Sequence, residues 1–302
     1  LTKKRILKNK LSFCNRRSRK IFLLLFFIIL SGCSVASKLT LFYSGNINGV
    51  IEDCRCPKVT DGSILNHITF YKDSIKANSN SLYVSAGNFF GFDHNRKENL
   101  VLNQLLEDSG YDLLSPGKND IYLIDSISNI PIVCYNATGT AAFKRFESGD
   151  NNICVTGMID PAQSNYIKKD VLSDKKISEV KDFIDSLKKS SDIIIFVSNL
   201  EQEKEKKIFN EVKNIDIMIS NTNSKNESFV FGNRIYISSG SSAEFIGKLE
   251  IVKSKDKLSF KNHFIKMDFE TFREDPEAKL KADSLKIKYG IMREERSIDS
   301  DL

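Results

Sequence analysis

The chain of 302 residues has no tryptophan and only three histidines, His67, His94 and His263. No His-x-His pair and no His-Glu helix motif occurs, so neither an imidazole-rich metal centre nor a zinc-peptidase helix has support. A serine-type triad needs a nucleophile beside a histidine. The serines of Ser239-Gly240-Ser241-Ser242 read instead as turn chemistry. Only His94, next to Asp93, falls close to a loop of interest, and it reads as a solvated residue. The chain also lacks an apolar run long enough to cross a bilayer as a helix. The stretch Ile21–Leu30 is wholly apolar but only ten residues long, where a span needs ~20.

That run has the length of a signal-peptide core. It follows a segment, residues 1–20, with nine Lys/Arg and no acid, and it runs into Leu30-Ser31-Gly32-Cys33. This ending resembles a bacterial lipobox. Residues 1–32 are therefore expected to be a lipoprotein signal peptide, with Cys33 lipidated and the chain anchored to a membrane through that lipid. One acyl chain anchors only marginally, and lipoproteins of this pattern are expected to carry two or three. The expected location is the bacterial cell envelope, on the periplasmic face. Ser34 in place of Asp resembles outer-membrane sorting.

Basic excess is missing too, once the leader is set aside. The whole chain has 45 Lys+Arg against 39 Asp+Glu, but removing residues 1–32 leaves 36 against 39, a net of −3. No global case for nucleic-acid binding remains. Cysteine is sparse: beyond Cys14 and Cys33 there are Cys54, Cys56, Cys134 and Cys154. An exported compartment permits disulfides. Cys54–Cys56 and Cys134–Cys154 bridges are both open, as are buried free thiols at Cys134 and Cys154.

What is present is an alternation of apolar runs and helical periodicities. Leu39–Ser44 and Ser81–Ala86 read as strands, and Ser63–Lys76 and Glu98–Ser109 as helices. Pro131–Cys134 and Ile153–Thr156 are short strands, Lys175–Lys189 a helix, Asp192–Val197 a strand, Glu201–Val212 a helix and Ile215–Ile219 a strand. Phe229–Val230, Arg234–Ser238, Phe245–Val252 and Leu258–Met267 follow as consecutive antiparallel strands. The expected division is a leader at 1–32, a domain at 33–270 and a charged, partly helical tail at 271–302. No internal repeat is visible.

The loops that end these strands carry a pattern: Ser44-Gly45-Asn46-Ile47-Asn48-Gly49, Ser85-Ala86-Gly87-Asn88, Gly110-Tyr111-Asp112 leading to Gly117-Lys118-Asn119-Asp120, Pro131–Asn136, Ser198-Asn199-Leu200 and Ser220-Asn221-Thr222-Asn223. In order and spacing this resembles the calcineurin-like metallophosphoesterases, and among them the exported 5′-nucleotidases. The resemblance runs from about Leu39 to Met267. It implies a four-layer α/β/β/α sandwich of two mixed sheets. It also implies that the base-binding second domain of the exported 5′-nucleotidases lies outside the resemblance.

Active members hold two divalent metals on Asp, His, Asn and further His ligands. At the matching positions this chain has Asn46, Asn48, Asn88, Lys118, Asn199, Asn221 and Asn223, with Asn119 where the family has a proton-donating His. Asn offers a neutral carbonyl oxygen, a poor ligand for a transition metal. Lys118 adds a positive charge, and two unit charges ~4 Å apart repel by ~4 kcal/mol at an effective dielectric of 20. No metal cofactor and no catalytic residue is therefore expected. Candidate ligand-binding residues are Lys118, Asp120 and Asn136. Lys118 either pairs with Asp120 or faces the vacated metal position, where it could hold a small anion such as phosphate.

Three readings follow. In the first the chain is an inactive phosphoesterase-like lipoprotein used in binding or assembly. In the second it is an active exported phosphoesterase with a shifted metal set. In the third it is a structural partner of an envelope protein, with no small ligand.

Overall fold

The computed structural model of the chain describes residues 36–52, 62–93, 96–127, 129–163, 171–222, 225–238, 240, 243–255, 257–268 and 270–292. In chain order the elements are β1 (Ser37–Ser44), α1 (Ile64–Phe70, continued by a π turn over Tyr71–Ile75), β2 (Ser81–Ser85), α2 (Glu98–Leu105), β3 (Leu113–Leu114), a 3-10 turn (Ile121–Ser126), β4 (Lys144–Ser148) and β5 (Asn151–Ile159). There follow α3 (Ile177–Lys188), β6 (Ile193–Asn199), α4 (Gln202–Glu211), β7 (Ile217–Ser220), β8 (Ser228–Phe231), β9 (Arg234–Ser238), β10 (Phe245–Ser254), β11 (Lys257–Lys266) and α5 (Pro276–Lys288).

Two sheets form, in the orders β11-β10-β1-β2-β3 and β4-β5-β6-β7-β9-β8. Side-chain alternation along the strands sorts the apolar residues into layers. Leu39, Leu41 and Tyr43 of β1 meet Ile193, Ile195 and Val197 of β6 in a core between the sheets. Phe42 turns the other way, into a core shared with Ile64, Leu65 and Ile68 of α1 and Val101, Leu102 and Leu105 of α2. Ile194 and Phe196 point outward from the second sheet onto Val180, Ile184 and Ile208 of α3 and α4. The result is the expected helix–sheet–sheet–helix stack.

Local chemistry sets the helix ends. Ser63 caps α1 in a capping box with Asn66: Asn66 N donates to Ser63 Oγ and Ser63 N to Asn66 Oδ1. Asp275 caps α5, accepting from Ala278 N at 2.8 Å, with Pro276 in the first turn.

Several expectations are corrected. Pro131–Cys134 does not form a strand; it makes only isolated bridges, Leu114 with Ile132 and Val133 with Ala141. Pro131 has no N–H to give a ladder. β4 was not anticipated, because its Lys-Arg-Phe-Glu-Ser sequence reads as polar; it is an antiparallel edge strand on β5. The four C-terminal strands do not stay together. β8 and β9 enter the second sheet, β9 lying parallel to β7, while β10 and β11 join β1 in the first. The charged segment after 270 holds the expected partial helix, α5. Ala278 and Ala282 of α5 are buried in the core that α1 and α2 cover.

Cys134 and Cys154 are buried and free, so they do not bridge. Residues 1–35, which include the leader and Cys33, lie outside the described residues, as do Cys54, Cys56, His94, Asn223, Ser239, Ser241, Ser242 and the last ten residues. Among the described residues no helix is long and apolar enough to cross a membrane.

Candidate functional site

The parallel strands β1, β2, β3, β6 and β7 end together, and in this type of fold ligands bind beyond the carboxyl ends of such strands. Backbone bonds draw their loops into contact. Asn46 N donates to Gly87 O at 2.8 Å, Asn48 N to Asn88 O at 2.8 Å, Ser115 N to Ser85 O at 2.9 Å and Asn221 N to Ser198 O at 2.9 Å. The β2 and β3 loops touch so closely that a Cβ on Gly117 would meet Asn88 Oδ1 at 2.3 Å.

Three of the site asparagines have left-handed backbone: Asn46 at φ 55°, Asn48 at 52° and Asn88 at 52°. Asparagine and aspartate tolerate that region better than other residues with a Cβ, because the short polar side chain bonds locally. Asn48 does so directly, its Nδ2 donating to Asn46 O at 3.0 Å.

The side-chain amides then bond to one another across loops. Asn46 Nδ2 donates to Asn221 O at 3.1 Å and to Gly240 O at 2.6 Å. Asn88 Nδ2 donates to Asn46 Oδ1 at 2.9 Å. Asn119 Nδ2 reaches Asn48 Oδ1 at 3.3 Å and Phe90 O at 3.2 Å, while its backbone N–H donates to Asn88 Oδ1. Asn221 Nδ2 donates to Asn199 Oδ1 at 2.8 Å, and Asn199 Nδ2 to Ala86 O at 2.8 Å and Pro116 O at 3.3 Å. Asn46, Asn119, Asn199 and Asn221 are all buried. Six asparagines from five loops thus form one network in which neutral donors meet neutral acceptors.

Asp120 lies inside this arrangement without pairing with Lys118. It is fully buried, and its two oxygens accept from Phe90 N at 3.0 Å and Gly117 N at 2.8 Å. Burial pushes its carboxyl up to about 6, opposed by those backbone N–H groups. Lys118 is exposed. Asn136 is buried away in its own set of bonds: it donates to Ile159 O and Ser173 O and accepts from Ile159 N and from Cys134 Sγ. Of the three candidate ligand residues, Asp120 and Asn136 are therefore structural ties, and only Lys118 faces solvent.

One supporting residue had no functional signal in the sequence. His67 on α1 is fully buried, with Nε2 2.8 Å from Ala243 O and Nδ1 3.3 Å from the Tyr83 hydroxyl. A carbonyl only accepts, so Nε2 carries the proton. Burial holds the ring neutral, its pKa lowered to about 4. Ala243 in turn donates from N to Asn46 O at 3.1 Å. His67 thus steadies the segment that closes the site from the β9–β10 side.

Comparison with solved structures places this arrangement. A 5′-nucleotidase precursor from Thermus thermophilus superposes with a TM-score of 0.72 at 15% identity, over 84% of this chain and 59% of that one. The calcineurin-like phosphoesterase YfkN from Bacillus subtilis matches with a TM-score of 0.65 at 12% identity, over 85% and 97% of the two chains. A 5′-nucleotidase assigned from Staphylococcus aureus gives 0.67 at 16% identity, over 83% and 58%. The fold is that of the calcineurin-like metallophosphoesterases. No family model and no curated protein matches the sequence. The chain spans about three-fifths of the length of the 5′-nucleotidases it superposes on.

The metallophosphoesterase fold implies a pair of divalent metals at these strand ends, and the donors here do not suit one. The carbonyl oxygens of Asn46, Asn48, Asn88 and Asn199 each already accept a hydrogen bond. The buried carboxylate, Asp120, turns both oxygens to backbone N–H groups. Among the described residues no three His, Cys, Asp or Glu side chains gather to hold a metal. Transition-metal dications such as zinc are held chiefly by carboxylates, imidazoles and thiolates, and the described strand-end residues do not present such a set.

Proposed function

We propose that the chain is a lipid-anchored envelope protein that uses the metallophosphoesterase fold for binding or assembly rather than for hydrolysis. The amide network supports this reading. Metal-dependent hydrolysis needs open coordination sites and a positioned water. Here the donors that stand at the strand ends are engaged with one another, across loops from both sheets.

A closed network also favours a protein partner over a small ligand. Buried polar groups that satisfy one another offer little to an incoming anion. The lipid anchor rests on the sequence, on residues 21–33, and places the domain on the periplasmic side with Cys33 as the modified residue. Intact-mass measurement of the membrane-extracted chain, beside Cys33→Ser, tests that part.

The catalytic part is tested by assaying p-nitrophenyl phosphate and 5′-nucleotides with manganese, zinc or iron present. Background-level turnover is expected. Metal-dependent hydrolysis that survives purification would establish instead an active phosphoesterase with a shifted metal set.

A further inference from the structure

The second sheet has two edges, and they differ. β4 carries Lys144, Arg145 and Glu147, the kind of charge that discourages strand pairing. β8 reads Ser228-Phe229-Val230-Phe231, with Phe229, Val230 and Phe231 each about half exposed or more, at 49%, 58% and 57%. A charge-free, aromatic edge strand is a template for another strand.

The ladder shows which backbone groups point outward. Ser238 N donates to Glu227 O, while Ile235 N donates away from β8, to Asp216 O. In an antiparallel pair bonded and non-bonded positions alternate. Val230, opposite Ile235, and Ser228, opposite Ile237, therefore direct their N–H and C=O groups off the sheet.

A cleft of about 310 Å³ opens beside this edge, between α4 and β8, with Phe209, Phe229, Phe231 and Tyr236 forming its apolar wall. Lys206 lines it as well and is shared with a shallow groove along α3 and α4, which carries five lysines against three acids.

We propose that β8 receives an extended segment of another protein as an added strand. Its alternate apolar side chains would enter the α4 cleft, and its acidic residues would continue onto the lysine groove. Main-chain bonds to Ser228 and Val230 supply the affinity, and the cleft and lysines the selectivity.

A second copy of this chain fits less well. Its own edge, Ser228–Phe231, carries no acidic residue to lie on the lysine groove. The choice of occupant rests on that charge match.

The test uses the full chain in detergent and a fluorescein-labelled synthetic peptide of alternating phenylalanine and threonine ending in glutamates. Saturable binding is expected, with slowed hydrogen exchange at the Ser228 and Val230 amides. Val230→Pro removes only an outward N–H, which an edge strand tolerates, and should weaken binding at least about tenfold. Lys206→Glu should weaken it in a salt-dependent way. No binding, unaltered exchange at the two amides, or full affinity in Val230→Pro would overturn the proposal. Self-association in the ultracentrifuge that Val230→Pro abolishes would overturn the choice of partner in favour of a second copy.

Discussion

Asn46 is where the network is most exposed to test. Its side chain makes three hydrogen bonds, to Asn221 O, to Gly240 O and from Asn88 Nδ2, and its backbone sits at φ 55°. Asn46→Ala removes all three bonds, two of them to the carbonyls of the buried Asn221 and Gly240. At a net ~1 kcal/mol per bond that is ~3 kcal/mol, and the left-handed backbone adds ~1 kcal/mol for alanine. The expected loss is ~4 kcal/mol, or roughly 10 °C in the melting temperature of a domain of this size. Asn46→Gly loses the same bonds without the backbone penalty, so it should be ~1 kcal/mol more stable than Asn46→Ala. Urea unfolding followed by circular dichroism measures both. A cost below ~1 kcal/mol for Asn46→Ala, or a glycine variant less stable than the alanine variant, would refute the network as described.

Asp120 gives a pH signature. Its folded pKa is raised from 3.8 to about 6 by burial, so its contribution to stability is complete below about pH 4 and is lost as the pH rises through about 6, ~3 kcal/mol in all. The difference in unfolding free energy between wild type and Asp120→Asn should change over that window; a pH-independent difference would contradict the assignment. On α5, Ala282 is fully buried and Leu280 is 70% exposed. Ala282→Leu should cost ~1–3 kcal/mol by overpacking, and Leu280→Ser less than ~0.5 kcal/mol, read from melting temperatures.

Much of the fold was legible because β strands announce themselves through alternation and length. The runs Leu39–Ser44, Asp192–Val197 and Arg234–Ser238 appear as strands within a residue or two of their expected limits. The exceptions have physical causes. β4 hides because one of its faces and its outer edge are wet, which fills it with charge. α5 is legible only as weak helical spacing in a charged tail, because it buries two alanines, whose small side chains leave no apolar stripe in the sequence.

The site was legible as a set of positions but not as a mechanism of cohesion. Recurrence of asparagine had no explanation in the sequence alone. Backbone dihedral angle supplies one for Asn46, Asn48 and Asn88, where φ is positive, and amide-to-amide bonding supplies one for Asn119, Asn199 and Asn221. Neither can be read from residue order, since both depend on how five distant loops converge. The supports at His67 and Ala243 were invisible for the same reason: they lie 176 residues apart in the chain.

The proposed function requires that neutral amides, rather than metals, hold the strand-end loops together. Its most direct measurement is the metal content of the purified chain by mass spectrometry after incubation with manganese, zinc and iron and removal of the excess. Substoichiometric metal is expected, with the same content in wild type and Asn88→Ala. Stoichiometric, tightly held metal in the wild type, lost in Asn88→Ala, would contradict it.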